Sequence, residues 1–317
     1  MACDTHRPFK DGETLMSVRN LSFYYGGRRS GGRGGKADAK PDAKPDAELG
    51  AKHDVGPDAV HSGKHDGRSG VLHNAGHHSR PALHGINLEF KAGRLCGLLG
   101  PNGSGKTTLF KCCLGFNKPD QGSVELGGRP LREFSQRHLA SHLAYVPQEH
   151  QATFPFLVRE MVEMGRTPHR SGFSGLTEKD RHVVAHALEL VGLSELAEEN
   201  YSRLSGGQRQ LVLVARALAQ EAFMLFLDEP TSSLDFSNQL VVWETVRDIA
   251  RQGMGAVICC HDPNHILWFC DEVAVLKHGR LLASGPVKST ITSALLEELY
   301  ERPVTIADAW GKTFICP

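Results

Sequence analysis

At 317 residues the chain has room for one large or two modest domains with ample core. Its 36 basic and 36 acidic residues balance, so nothing electrostatic argues for nucleic acid as the main partner. No run of about 18 apolar residues occurs, so no membrane-crossing helix is expected, and Met1 to Lys10 lacks the apolar core of a signal peptide. A cytoplasmic location is the expectation. Eight cysteines include adjacent pairs at 112–113 and 259–260 in apolar segments, with no Cys-x-x-Cys, which predicts reduced, buried thiols rather than disulfides or a zinc site.

In chain order, Met16 to Tyr25 alternates loosely and predicts an opening strand that ends in Tyr24 and Tyr25. A tyrosine at a strand end can stack on a base or simply pack in the core. Residues 28–80 have no aromatic and no isoleucine; they carry a tandem Ala-Lys-Pro-Asp and six histidines, His53, His61, His65, His73, His77 and His78. Such a composition cannot bury enough surface to offset ordering entropy, so a disordered insertion is expected, with a metal-binding tract as the alternative.

Ordered sequence resumes at Ala82. Ile86 to Phe90 alternates as a strand, and Leu95-Cys96-Gly97-Leu98-Leu99 reads as a short buried one. Gly100-Pro101-Asn102-Gly103-Ser104-Gly105-Lys106-Thr107 follows, fitting Gly-x-x-x-x-Gly-Lys-[Ser/Thr], and Thr108 to Leu114 reads as a helix. Strand, glycine-rich turn and helix start aim backbone N–H groups and the helix dipole at one spot, a site for a nucleoside triphosphate. Lys106 would reach the β- and γ-phosphates, and the Thr107 hydroxyl would ligate Mg²⁺.

Ser123 to Leu126 and Leu143 to Val146 are further strand candidates, the latter leading to Pro147-Gln148. From Gln148 to Ser205 the periodicity turns helical: Thr177 to Asp180 has a capping-box pattern, and Val184, Leu188 and Val191 line one face. Leu204-Ser205-Gly206-Gly207-Gln208 then opens a strong helix, Arg209 to Gln220, and its free amides form a second anion site. Phe223 to Leu227 is continuously apolar, a strand buried on both faces, and it ends in Asp228-Glu229-Pro230. At that edge Asp228 would orient Mg²⁺ and Glu229 would polarise a water. Ala256 to Cys260 is another buried strand, with His261 at its end poised toward the γ-phosphate or the water. Val273 to Leu276 and Leu281 to Ala283 flank Gly279 as a hairpin, Ser293 to Tyr300 is a short amphipathic helix, and no chemistry is legible beyond Arg302.

This set of motifs resembles the ATP-binding subunit of ABC transporters over about residues 14–285, apart from the 28–80 insertion. Residues 100–107 look like Walker A, Gln148 like the Q-loop glutamine and 204–208 like the signature. Residues 224–229 look like Walker B with its glutamate, Ser232-Ser233-Leu234-Asp235 like the D-loop, and His261 like the switch histidine. Tyr25 falls where that family has its base-stacking aromatic. Gly165-Arg166-Thr167-Pro168-His169 is similar to a stretch just past the Q-loop, and Leu299-Tyr300 through Val304 to the C-terminal helix and strand, of the ATPases that serve iron-siderophore, haem and cobalamin importers.

The resemblance implies an α/β P-loop NTPase fold with a mostly parallel core sheet, an antiparallel β subdomain and an inserted helical subdomain at about 148–205. The cassette would comprise residues 14–27 and 81–290, between a tail at 1–13 and an extension at 291–317. The implied nucleotide contacts are Tyr25, Gly100 to Thr108, Ser205 to Gln208 and Asp235; Thr107, Gln148 and Asp228 would hold Mg²⁺, and Glu229, His261 and Gln148 would serve catalysis. The implied partners are a second copy of the chain, membrane permease subunits and, indirectly, a substrate-binding protein. Their cell-membrane anchor would hold the ATPase at the inner face. Import of zinc, nickel or manganese is the alternative cargo reading, and a nucleic-acid-associated ATPase a more distant one.

Overall fold

The central strands form where the apolar runs are longest, because a strand covered on both faces must be apolar at every position. The computed structural model describes residues 9–25, 81–148, 155–170, 175–232, 234–309 and 311–316. The 28–80 insertion, with the expectations attached to it, lies outside the described residues.

The described chain opens with β1 (Thr14–Phe23), β2 (Leu83–Lys91) and β3 (Leu95–Leu99), followed by α1 (Lys106–Cys113). Next come β4 (Gln121–Leu126), β5 (Arg129–Pro130), α2 (Gln136–Ala140) and β6 (Leu143–Val146). A helical stretch holds α3 (Val158–Glu163), α4 (Glu178–Leu190) and α5 (Gly206–Ala219). Strands and helices then alternate through β7 (Met224–Asp228), α6 (Phe236–Arg251), β8 (Gly255–Cys260), α7 (Pro263–Phe269) and β9 (Glu272–Lys277). The end consists of β10 (Arg280–Pro286), α8 (Val287–Thr290), α9 (Ser293–Tyr300), β11 (Thr305–Ala309) and β12 (Lys312–Cys316).

A six-stranded sheet runs in the order β10-β9-β3-β8-β7-β6, parallel except for β10, and a four-stranded antiparallel sheet runs β2-β1-β4-β5. This is the expected mostly parallel α/β core with an antiparallel companion. Side chains alternate across the large sheet. Leu95, Leu99, Leu225, Leu227 and Ile258 join the cluster with α3 to α6, while Leu98, Met224, Phe226 and Val257 join the cluster with α1 and the antiparallel sheet. Phe226 sits at the centre of the second cluster, its ring edge-to-face with Phe90 at 6.2 Å and Phe110 at 5.1 Å.

Two expectations need correction. The hairpin around Gly279 is not the last: a helix followed by one strand was expected near Leu299 to Val304, but Val304 lies outside any strand, and β11 and β12 pair as a further antiparallel hairpin. The helix after the glycine-rich loop begins at Lys106, not Thr108, because left-handed Gly105 (φ 105°) turns the chain directly into it.

Within the helical stretch the Gly165–His169 segment is a 3₁₀ turn pinned to the end of α5. A Cβ on Gly165 would lie 2.2 Å from the Arg216 carbonyl oxygen, so only glycine lets the two backbones approach. Arg166 is 3% exposed; it donates to Asp180 at 2.8 Å, to Glu221 at 2.8 Å and to the Ala219 carbonyl at 2.7 Å. Thr177 caps α4 in a reciprocal box with Asp180, as the sequence pattern suggested. The Thr177 hydroxyl and amide, with the Arg166 guanidinium, hold the Asp180 carboxyl well below the usual carboxylate range.

A depressed folded-state value means this contribution is complete above the unfolded value of about 3.9 and is lost as pH falls through the folded one. Asp180→Asn should therefore lower unfolding free energy at pH 7 by about 3 kcal/mol, since it leaves Arg166 short of a buried counterion. In urea melts the gap to the parent chain should stay constant above about pH 5 and narrow only below about pH 4.

Candidate active site

Parallel strands that end level with one another build the site. Leu99 registers with Cys260, Asp228 with Cys259 and Val146 with Leu227. Gly100, Gln148, Glu229 and His261, each just past a strand end, therefore lie along one carboxyl edge, where α/β sheets hold their ligands.

The glycine-rich loop is seated by backbone. A Cβ on Gly100 would lie 2.3 Å from the Leu276 carbonyl oxygen, and Gly279 at the β9–β10 turn donates its N–H to the Ser104 carbonyl at 3.0 Å. No side chain caps α1 and its first turn holds no acidic residue, so its leading N–H groups are available to an anion. Lys106 is 6% exposed, and its ammonium closes over the loop, donating to the carbonyls of Gly100 at 2.8 Å and Pro101 at 3.3 Å. Ser104 Oγ is buried without a hydrogen-bond partner, whereas Asn102, Gly103 and Thr107 are exposed. Of the two candidate tyrosines, Tyr25 reaches this loop: its phenol lies 2.9 Å from Thr108 Oγ1 while its ring is largely exposed.

Asp228 ends β7 almost fully buried. Burial, with Asp228 adding to it, pushes the Tyr145 phenol up to about 12. Glu229 follows in the left-handed region (φ 51°), a conformation a non-glycine residue holds only where its surroundings enforce it. Its Oε2 accepts from Gln148 Nε2 at 3.0 Å and its Oε1 lies 2.6 Å from His261 Nε2. Three residues picked from separate parts of the sequence thus converge on one carboxylate.

Ser205 to Gln208 and Asp235 form a second patch. Ser205 Oγ accepts from the Gln208 amide and Gln208 Oε1 from the Ser205 amide, a capping box at the start of α5. Asp235 caps α6 through the Asn238 amide at 2.9 Å, and Gly207 lies against Leu234 and Asn238 of that helix start. Gly206 is exposed beside them. Among the described residues, no hydrogen bond joins this patch to residues 100–108. Sequence reasoning missed Tyr145, whose place beside Asp228 follows from strand register, and gave Ser104 no role beyond its place in the loop.

Fold and site together define a P-loop nucleotide-binding ATPase. A family model described as ABC transporter matches residues 83–232. The chain is 39% identical over 227 residues to the hemin import ATP-binding protein HmuV of Streptomyces coelicolor, spanning 72% of this chain and 80% of that one. It is 35% identical over 223 residues to the iron(3+)-hydroxamate import ATP-binding protein FhuC of Bacillus subtilis, spanning 70% and 83%. Among solved structures, a chain of an ABC transporter described as metal-chelate type, in an inward-facing conformation, superposes with a TM-score of 0.70 at 27% identity, covering 96% of each chain. The chain belongs to the ABC transporter ATP-binding family; it binds and hydrolyses ATP. No helix among the described residues is long and apolar enough to cross a membrane.

Ser104→Ala removes a buried hydroxyl that has no hydrogen-bond partner within the chain. Its unfolding free energy from urea melts should hold or rise, by no more than about 1 kcal/mol, because no protein hydrogen bond is lost. Equilibrium titration should nonetheless show weaker binding of nucleoside triphosphate, since that hydroxyl faces into the loop's own cradle.

Proposed function

We propose that the chain is the ATPase of an importer for a metal chelate of the siderophore, haem or cobalamin kind, working as a pair of identical copies beneath membrane permease subunits. The observation that carries the catalytic part is the Glu229 carboxylate held between Gln148 and His261 at the edge that also carries residues 100–107. The likeness to HmuV and FhuC supports the cargo class.

ATP would lie with its triphosphate against Gly100 to Thr108, where the free amides of α1 and the Lys106 ammonium offset its charge. Lys106 exchanges its two loop carbonyls for phosphate oxygens. Tyr25, next to Thr108 and exposed, is positioned to stack on the base. Thr107, Asp228 and the Gln148 amide offer oxygen donors that suit a hard divalent cation, and they would hold Mg²⁺. When bound, that ion neutralises charge on the β- and γ-phosphates. Glu229 accepts the proton of the attacking water, and His261 and Gln148 fix the direction in which its carboxylate faces. Ser205, Gly206, Gly207, Gln208 and Asp235 of one copy would close over the nucleotide of the other, a division of labour that accounts for the distinct second patch.

With Glu229→Gln, nucleotide binding should persist while turnover falls by roughly 10²–10⁴-fold, the scale for losing a general base. Light scattering should then show a dimer trapped by ATP and Mg²⁺. A monomer under those conditions would count against paired cassettes, and unchanged turnover would remove Glu229 from the chemistry. Lys106→Ala should instead weaken ATP affinity in a direct titration.

A further inference from the structure

The last 15 residues of the chain, from Pro303 onward, carry no recognisable motif, yet β12 is bonded to the short helix that follows His261. We infer that the C-terminal hairpin is a positioning clamp for His261, acting through Asn264 and Trp268 of α7; this rests on the catalytic reading of Glu229 and His261 given above.

The His261 ring has little packing of its own. Its side chain is 43% exposed, and its aim at Glu229 depends on where the backbone leaves β8. Two residues later the chain enters α7, capped by Asp262 through the Asn264 amide at 2.8 Å. A seven-residue helix has no stability of its own, because nucleation costs more than so few hydrogen bonds return. Tertiary contacts must hold it, and it has three sets, one of them to α6, where Trp243 stacks on Phe269 at 5.3 Å and lies 5.6 Å from His265. On one side Ile266 is fully buried against β3, so close that a Cβ on Gly97 would lie 2.8 Å from Ile266 Cγ2.

The third set, which alone among the described residues bonds to polar groups of α7 from another element, comes from the C-terminal hairpin. Asn264 makes both halves of a backbone-like pair with Ile315: its Oδ1 accepts from the Ile315 N–H at 2.7 Å, and its Nδ2 donates to the Ile315 carbonyl at 3.2 Å. One helical turn on, the Trp268 indole N–H donates to the Thr313 carbonyl at 2.8 Å, and its ring meets Phe314 edge-to-face at 5.4 Å. Residues i and i+4 of α7 thus grip alternate residues of one strand, which fixes rotation of the helix as well as its position. Tyr300 of α9 packs against the same core cluster that contains Ile266. Its phenol is buried without a hydrogen-bond partner and is pushed up to about 12 by burial, with Asp262 and Cys260, the neighbours of His261, adding to the shift.

A clamp of this kind sets the rate without touching nucleotide. Loosening it should let His261 drift from Glu229, and displacement of a catalytic contact by about 1 Å can cost up to 10²-fold in rate. Nothing in residues 100–108 bonds to α7 or β12, so ATP affinity should not change.

The test is a double-mutant cycle on the full-length chain, with ATPase turnover and ATP KM as readouts. Asn264→Ala should lower kcat roughly 10-fold with KM within about twofold, and should have no further effect in a His261→Ala background. Trp268→Phe, which keeps an aromatic ring against Phe314 but loses the N–H, should show the same split more weakly. A folded Asn264→Ala chain with unchanged kcat, or one whose loss adds to that of His261→Ala, overturns the clamp while leaving the catalytic reading intact. If His261→Ala itself turns over normally, both readings fall. Should Asn264→Ala melt much earlier than the parent, Trp268→Phe decides by the same cycle.

Discussion

One oxygen of the Glu229 carboxylate lies 3.0 Å from Gln148 Nε2 and the other 2.6 Å from His261 Nε2, with the side chain only 13% exposed. A carboxylate so enclosed has to be hydrogen-bonded, or the loss of its hydration would cost several kcal/mol. The sheet meets that need by register: Val146 lies beside Leu227 and Asp228 beside Cys259, so Gln148, Glu229 and His261 emerge at one edge. The left-handed backbone at Glu229 is the local strain this arrangement maintains. The Ser232 hydroxyl and amide both donate to the Glu229 carbonyl, at 3.0 and 3.3 Å, and tie down the turn that bears the strain.

Around that carboxylate the molecule divides into parts with different physical duties. The glycine-rich loop rests on neighbouring backbone, presenting uncapped amides and a lysine whose ammonium is held by the Gly100 and Pro101 carbonyls. The start of α5 differs: its capping box occupies the Ser205 and Gln208 amides, Ser205 and Gly206 are exposed, and Gly207 lies against the start of α6. Each chain therefore carries two unlike helix starts, the two halves that the proposed pairing of copies would bring together. Arg166, paired with Asp180 and bonded to the Ala219 carbonyl, ties α4 to the end of α5.

Much of this was legible in the sequence, for stated physical reasons. The continuous apolar runs at 95–99 and 256–260 could only be strands covered on both faces, and the acidic pair after 223–227 had to lie at a strand end. The Thr177 box appeared where the spacing put it. What escaped notice was tertiary in origin. The terminal hairpin has short strands with mixed exposure, and its place depends on Asn264 and Trp268, residues with no local signal of that role. The role of Arg166 was likewise invisible, because its partners Asp180 and Glu221 are 14 and 55 positions away.

The central claim is that each nucleotide is enclosed by two copies, the loop at 100–107 from one and Ser205 to Gln208 from the other. Mixing two inactive variants tests it most directly: Lys106→Ala, which disables the loop, and Ser205→Arg, which blocks the other surface. Composite sites pairing an intact loop with an intact helix start arise only in mixed dimers, so combined ATPase activity should rise well above the sum of the separate preparations. Activity no greater than that sum, with both variants folded and able to form mixed dimers, would contradict the account.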